Sequence, residues 1–539
     1  MASRREFINK GSLSLLGLAA VPTLLSQCTA PDESMAADIF SFPRVSPESE
    51  GVDSQALINF INTANKSGLE WHSFKILRRG KVLAEGHWEP FKEEYKHTLY
   101  SLSKAFTSTA IGLAEKEGLI SVEDPVISFF PNELPEVVDD QLKFMKIKHL
   151  LTMNSGHDSS TMESMRTNSP EKTWVQSFLS KPLVHEPGTH FFYNTGATYM
   201  LGAIIHAKTG QNLEAFLKPR FFDKLGITGY DWEKSPEGLN TAGYGLRVKT
   251  EDISKLGQFY LQNGTWLGDE ILSEEWVTEA STKHTESQAG NGDWSQGYGY
   301  QFWRCKPEPG FYRGDGAFGQ YCIIIPQYEM TIAVTSESFN MGKSMEIIWD
   351  NVLPGVKEEA LPANKNAASE LKEICQNLSI DPPIWHSTSP SATLHTKKIF
   401  KAEKNDYGIE SLAFDLMKPH AISSREFDLS KDEGEVVFHT LDGENKLVFG
   451  MEHWVTNDVY TVNNFPLAKR IHVPSLISAS ATWVDDDTLQ ITRKFVEAVH
   501  GDTLVCAFKG NQVTISFNNS LSENSKNASD TRPPMVAIA

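Results

Sequence analysis

The stretch Tyr100-Ser101-Leu102-Ser103-Lys104-Ala105-Phe106-Thr107 leads into a segment, Ala105 to Ala114, that carries no charge. A helix apolar on every side is a buried helix, so an ammonium at its head is costly unless it has a partner or a task. Ser101 stands three residues before Lys104, one turn away on the same helical face. A serine hydroxyl is a poor nucleophile until a base takes its proton, and a desolvated lysine with a lowered pKa is such a base. Ser101 and Lys104 therefore read as nucleophile and activator within one turn, with the helix N-terminus favouring negative charge beside them. The plainer alternative makes Ser101 a cap and Lys104 a snorkelling cation, and the four-residue pattern alone leaves both open.

Working outward, the chain has 539 residues, enough for about two to four domains. Apolar content of 40% and charged content of 22% are those of a soluble globular protein. A net charge of −19 disfavours nucleic-acid or anionic-membrane partners, which need clustered Lys and Arg. The five cysteines are scattered without a C-x-x-C pair, so neither a zinc site nor a disulfide framework is indicated, and no metal or cofactor is expected. Cys322 and Cys506 lie in apolar strand-like runs and read as small buried hydrophobes.

Phe74 to Leu77, the turn Arg79-Gly80-Lys81 and Val82 to Trp88 predict a β-hairpin. The Ser101 helix should stop at Gly118, and a turn-rich, mostly helical middle runs to about Leu272. Strands are expected over Tyr298 to Trp303, Gln320 to Ile325 and Met330 to Thr335, then a helix over Met341 to Val352 and another over Glu358 to Ser379, stopped by Pro382-Pro383. One hairpin before and three strands after a helical insert predict an α+β fold, a central antiparallel sheet flanked by helices with a helical subdomain. A second chemical stretch is Pro187-Gly188-Thr189-His190-Phe191-Phe192-Tyr193-Asn194-Thr195-Gly196, where a loop passes into a helix over Ala197 to His206. Tyr193 at that junction can point into a cleft, and near an ammonium its phenol is expected to be more acidic than usual.

On these residues the chain resembles the serine hydrolases of the class C β-lactamase and penicillin-binding-protein-like family, which includes esterases and D-aminopeptidases. That family carries Ser-x-x-Lys, a Tyr-x-Asn or Tyr-x-Ser about ninety residues on, and a Lys/His-Thr/x-Gly strand late in the domain. Ser101 and Lys104 match the first motif and Tyr193 the tyrosine of the second, with Thr195 in place of the family's asparagine. His149 to Gly156, Leu256 to Gln262, Leu267-Gly268 and Ile271 to Ser273 resemble further stretches, and the likeness covers roughly Phe40 to Pro354. Lys208-Thr209-Gly210 fits the triplet letter for letter, yet it ends a helix, as a last-turn Lys and a C′ Gly ordinarily do. The better placed stretch is Arg313 to Tyr321, in which Gly314-Asp315-Gly316 stands where Lys-Thr-Gly usually does.

The resemblance implies acyl transfer through a covalent intermediate on Ser101, with Lys104 and Tyr193 sharing its proton. It further implies an oxyanion held by the backbone N–H groups of Ser101 and Ala317. Gly316 is expected to admit close backbone approach of the ligand. Gly314 cannot supply the triplet's cation, and Asp315 adds a negative charge that repels a substrate carboxylate. The expected substrate is thus a small-molecule ester or amide with a neutral or cationic group near the scissile bond. The alternatives are a cell-wall D,D-peptidase or β-lactamase, and a non-catalytic binding protein on the same scaffold. No Gly-x-Ser-x-Gly elbow or His-Glu-x-x-His helix appears. Of the aromatic cluster Trp294, Tyr298, Tyr300, Phe302 and Trp303, part is expected in the core and part along an acyl pocket.

Five segments are expected. Residues 1–28 resemble a twin-arginine-type export signal, with Arg4 and Arg5 before an apolar run and Cys28 as a lipid-attachment candidate. This implies an exported, periplasmic or lipid-anchored protein, touching membrane only through Cys28. Residues 40–380 form the hydrolase domain and 381–396, rich in Ser, Thr and Pro, a linker. Residues 397–519 read as an antiparallel β-sandwich or a barrel like the lipocalin-like one of some relatives. Residues 520–539 read as a disordered tail.

Overall fold

The computed structural model describes residues 40–419, 432–457, 475–524 and 529–539. Arg4, Arg5, the apolar run after them and Cys28 lie outside the described residues. No helix among the described residues is long and apolar enough to cross a membrane.

Period-two alternation builds the first sheet. Its strands are Glu70–Arg78 (β1), Lys81–His87 (β2), Trp303–Arg304 (β3), Tyr312–Gly316 (β4), Gln320–Ile325 (β5) and Met330–Glu337 (β6). They lie in the order β2-β1-β6-β5-β4-β3, every pair antiparallel. Tyr321, Ile323 and Ile325 of β5 enter one core with Ile332 and Val334 of β6. Cys322, Ile324 and Ala333 enter the other. Successive side chains of a strand face opposite ways, so one sheet serves two cores.

The first core is closed by Ser54–Lys66 (α1), Met341–Val352 (α5) and Lys365–Gln376 (α6). The second is closed by Ser103–Lys116 (α2), Thr195–Thr209 (α3) and Thr250–Leu261 (α4). The fold is mixed α+β, as expected, with α2, charge-free from Ala105 to Ala114, buried from Ser103 to Ala114.

Two expectations are corrected here. The aromatic run Tyr298 to Trp303 is not a strand, because Gln301 takes a left-handed φ of 69° and Gly297 one of 106°. Only Trp303 and Arg304 pair with β4, while Tyr298 forms isolated bridges to Thr285 and Trp303. The helix expected over Glu358 to Ser379 is confined to Lys365–Gln376 because Asn364 caps it, its side chain accepting from Ala367 N–H.

Beyond it a ten-stranded sheet runs through Ile399–Ala402 (β7), Ile409–Pro419 (β8), Asp432–Thr440 (β9), Gly443–Met451 (β10), Val455–Asn457 (β11), Ile477–Asp485 (β12), Thr488–Phe495 (β13), Gly501–Lys509 (β14), Gln512–Asn519 (β15) and Met535–Ile538 (β16). The order is β10-β9-β8-β7-β16-β15-β14-β13-β12-β11, and Gly450 and Met451 also pair in parallel with Ser480 and Ala481. That extra pairing closes the sheet into a barrel and removes its open edges. Its interior is a third core holding Phe400, Phe414, Phe438, Phe449, Trp483 and Phe508.

The C-terminal tail is not disordered over its described residues. Met535 to Ile538 form a strand between β7 and β15, with Met535 and Ala537 buried in the barrel core. Alternating Met-Val-Ala-Ile supplies a one-faced strand, which the polar residues before it mask in composition. The linker is likewise partly structured. Pro390–His395 form a short helix capped by Ser389, Ala392 enters the barrel core, and Trp385 N–H donates to Thr482.

Candidate active site

Ser101 stands not in α2 but on the 3-10 turn Tyr100–Leu102 that runs into it. Tyr100 holds a left-handed φ of 47°, costly for a residue with a Cβ. The turn is pinned by Ser103, whose Oγ donates to the Tyr100 carbonyl at 2.7 Å and accepts from Leu246 N–H at 3.2 Å. Lys104 follows in the first turn of α2 and is 1% exposed. Its Nζ lies 2.9 Å from Ser101 Oγ, 3.3 Å from Thr195 Oγ1 and 2.7 Å from the Gly243 carbonyl.

Those three partners suit a neutral amine. The carbonyl only accepts, whereas each hydroxyl can donate or accept, so Nζ can donate to Gly243 and Thr195 and accept from Ser101. Burial pushes the Lys104 pKa down to about 7, with the nearby Asp315 charge acting the other way. Gly243 was not singled out from sequence. It lies in a loop fixed by Thr107 Oγ1, which donates to the Ala242 carbonyl at 2.9 Å. A Cβ on Gly243 would stand 2.7 Å from Thr195 Cγ2.

Tyr193 precedes α3, whose cap is Asn194. The Asn194 side-chain oxygen accepts from Gly196 N–H at 3.2 Å and from Thr161 Oγ1 at 2.8 Å. Lys104 Nζ lies 5.0 Å from the Tyr193 ring centroid, and the Ser101 hydroxyl is near enough to act on the phenol. Tyr193 stacks on Trp303 at 5.3 Å and meets Tyr298 edge-on at 6.1 Å. The expected acidification of this phenol is wrong in sign. Burial first, then the Asp315 charge, push its pKa up, and the Ser101 hydroxyl opposes them only in part. A lysine near pKa 7 gives little cationic help at neutral pH, so desolvation wins.

Asp315, on β4, lies within electrostatic reach of both Lys104 and Tyr193. Its Oδ2 accepts from Trp294 Nε1 at 2.9 Å and from Arg313 Nε at 3.1 Å. Arg313 is fully buried; its guanidinium lies over the Trp294 ring and 3.7 Å from Asp293. Residues 313 and 315 share a strand face, so the cation that the triplet lacks at 314 is supplied from behind and spent on Asp315. Burial still raises the Asp315 pKa against that pairing.

The glycines have a packing reason of their own. A Cβ on Gly316 would stand 2.1 Å from the Leu99 carbonyl, and one on Gly314 would stand 2.5 Å from Leu102 Cδ1. Both are bare where the nucleophile turn packs directly on β4. Gly316 carbonyl accepts from Gly319 N–H at 3.2 Å, which fixes the peptide plane that carries Ala317 N–H. Tyr100 carbonyl, held by Ser103, fixes in the same way the plane that carries Ser101 N–H.

Of the aromatic cluster, Trp294, Tyr298 and Trp303 border the site, while Tyr300 packs on Trp276 and Phe302 on Tyr260. Lys208 and Thr209 end α3 and Gly210 takes φ 73°, so that triplet is a helix terminus. No cluster of potential metal ligands occurs among the described residues.

Fold and site together define a serine hydrolase with a Ser-Lys-Tyr constellation. The beta-lactamase family model matches residues 72–357, and the chain belongs to that family. The 6-aminohexanoate-dimer hydrolase of Paenarthrobacter ureafaciens is 24% identical over 284 residues, covering 49% of this chain and 72% of that protein. Protein flp of Staphylococcus aureus (strain MRSA252) is 27% identical over 218 residues, covering 38% of this chain but only 44% of its own length. The solved structure of EstCE1, a hydrolase with promiscuous acyltransferase activity, aligns at 17% identity and a TM-score of 0.48, covering 56% of this chain and 99% of that one.

Proposed function

We propose that the protein is an exported serine hydrolase that cleaves a small carboxylic ester or amide through an acyl-enzyme on Ser101. The observation that carries this reading is the buried Lys104 amine, 2.9 Å from Ser101 Oγ and with its pKa near 7. Neutral Lys104 takes the serine proton as Oγ attacks the carbonyl. Ser101 and Ala317 N–H groups, on two pinned peptide planes, receive the developing oxyanion; losing one such donor typically costs about 3 kcal/mol of transition-state stabilisation. Tyr193, whose phenol stays protonated, hands a proton to the leaving group and is restored from Lys104. Water then repeats the sequence against the acyl-enzyme.

Asp315 sets the substrate class. A carboxylate within electrostatic reach of both Lys104 and Tyr193 repels an anionic group at the scissile bond. Neutral or cationic esters and amides are therefore the substrates, and penicillins are poor ones. The named activity of one relative, hydrolysis of the 6-aminohexanoate dimer, belongs to a compatible class. Export rests on the Arg4-Arg5 segment and the apolar run behind it. A fluorophosphonate probe tests the reading: labelling of the wild type that is lost in Ser101→Ala supports it, and labelling that persists refutes it. A panel of p-nitrophenyl esters, amino-acid amides and penicillins then tests the substrate class, and brisk penicillin turnover would refute it.

A further inference from the structure

The two residues that flank the proposed oxyanion donors are both strained, and one side chain from the barrel grips both. Tyr100, before Ser101, holds φ 47°; Phe318, after Ala317, holds φ 66°. His500 lies at the start of β14, just ahead of Gly501, and is buried. Its Nε2 is 2.7 Å from Tyr100 Oη, and its ring meets the Phe318 ring edge-on at 4.6 Å. Its Nδ1 is 2.6 Å from Glu337 Oε1 at the end of β6, and Ser520 donates to the same oxygen. Nearby, Lys494 of β13 holds Glu70 of β1 at 2.6 Å, so the β13–β14 connection is tied to the hydrolase sheet at two places.

A carboxylate beside Nδ1 favours the tautomer that carries its proton there, and in that tautomer Nε2 accepts from the Tyr100 phenol. The chain Tyr100–His500–Glu337 therefore ties the nucleophile turn to the last strand of the sheet through a residue of another domain. Tyr100 and Phe318 rings also touch each other, at 5.4 Å between centroids. A left-handed residue with a Cβ persists only where its surroundings over-determine it. Here the surroundings include the imidazole, beside the Ser103 hydroxyl on the Tyr100 carbonyl.

We infer that His500 is a positioning residue for acyl transfer: through Tyr100 and Phe318 it holds the Ser101 and Ala317 peptide planes at the spacing the oxyanion needs. The inference rests on the acyl-enzyme reading above. It gives the barrel a role in chemistry beyond shielding the hydrolase domain.

The test compares full-length wild type, His500→Ala, His500→Gln, Tyr100→Phe, the double variant Tyr100→Phe/His500→Ala and Ser101→Ala on a p-nitrophenyl ester and a fluorophosphonate. Expected is a fall in kcat of about tenfold or more in His500→Ala and in Tyr100→Phe, with KM changed less than about twofold. The labelling rate of Ser101 should fall in the same proportion. The double variant should be no worse than His500→Ala, because the two residues act as one unit. His500→Gln, which can still accept at the phenol, should recover part of the loss. Wild-type kcat in a folded Tyr100→Phe variant, or losses that multiply in the double variant, would overturn the inference. If His500→Ala does not fold, Tyr100→Phe, which removes one oxygen, decides alone. Full labelling of Ser101→Ala would overturn the acyl-enzyme reading itself. Its absence, with Tyr100→Phe at the wild-type rate, overturns only the role of His500.

Discussion

Lys104 is the residue on which the chemistry turns, and its surroundings make a pH prediction with a definite sign. A base works only when neutral, and burial holds this amine near pKa 7. The rate kcat/KM should therefore rise as pH passes about 7 and hold above it. The charge on Asp315 favours the ammonium, so Asp315→Asn should lower the Lys104 pKa and move the acidic limb down. A pH–rate profile of the two proteins reads this, and an acidic limb that stays or moves up would contradict it. The same substitution takes from Arg313 the carboxylate that its Nε bonds, leaving Asp293 at 3.7 Å, so thermal stability should fall as well. Tyr193→Phe keeps the stack on Trp303 and removes only the proton carrier. It should lower kcat by about 10² to 10⁴-fold with the thermal midpoint little changed. Ser101, Lys104 and Tyr193 were legible in sequence because a charge in an apolar helix and a tyrosine at a loop–helix junction are local anomalies. The Tyr193 pKa was not, since burial is a property of the packed molecule.

At the scale of elements, the seam between α2 and β4 governs the site. Gly314 and Gly316 let the nucleophile turn rest against the strand, where side chains would push it away. Gly316→Ala should cost about 1–3 kcal/mol, as overpacking does, and should depress kcat because the displaced backbone is that of Leu99, two residues before Ser101. Gly314→Lys, which restores the triplet's usual first residue, should clash with Leu102 and should not confer acylation by penicillin. Chemical denaturation and mass spectrometry after penicillin exposure measure the two outcomes. The order of strands located this triplet from sequence and excluded Lys208 to Gly210. The absent strand over Tyr298 to Trp303 was misread because its aromatic alternation comes from packing around the site, and only a left-handed Gln301 reveals the break.

At the scale of the whole molecule, the barrel is closed by the last strand of the chain. Removing residues 531–539 would take away β16 and leave β7 and β15 with open edges. Such a truncation should expose the third core and make the protein aggregate or lose its cooperative unfolding. Size-exclusion chromatography and a thermal scan check it; an unchanged melting profile would mean that the barrel closes without β16. A buried ion pair, Arg493 with Asp502 at 2.6 Å, spans β13 and β14, and Arg532 adds a further bond to Asp502 at 2.8 Å. Breaking it with Asp502→Ala should cost about 3–5 kcal/mol, because the arginine charge stays buried without its carboxylate. Thermal or denaturant unfolding reads that loss.

What the sequence by itself determined are the features written in neighbouring residues: the buried helix behind Ser101, the Ser-x-x-Lys turn, the alternating strands Gln320 to Ile325 and Met330 to Thr335, and the barrel hairpins. Each follows from a period of side chains that a short window displays. What only the tertiary structure decided joins residues far apart in the chain: Gly243 under Lys104, Trp294 on Asp315, Gly316 against Leu99, and His500 against Tyr100. Hydrogen bonds and desolvation act through space, and no local period records which distant segment will supply the partner.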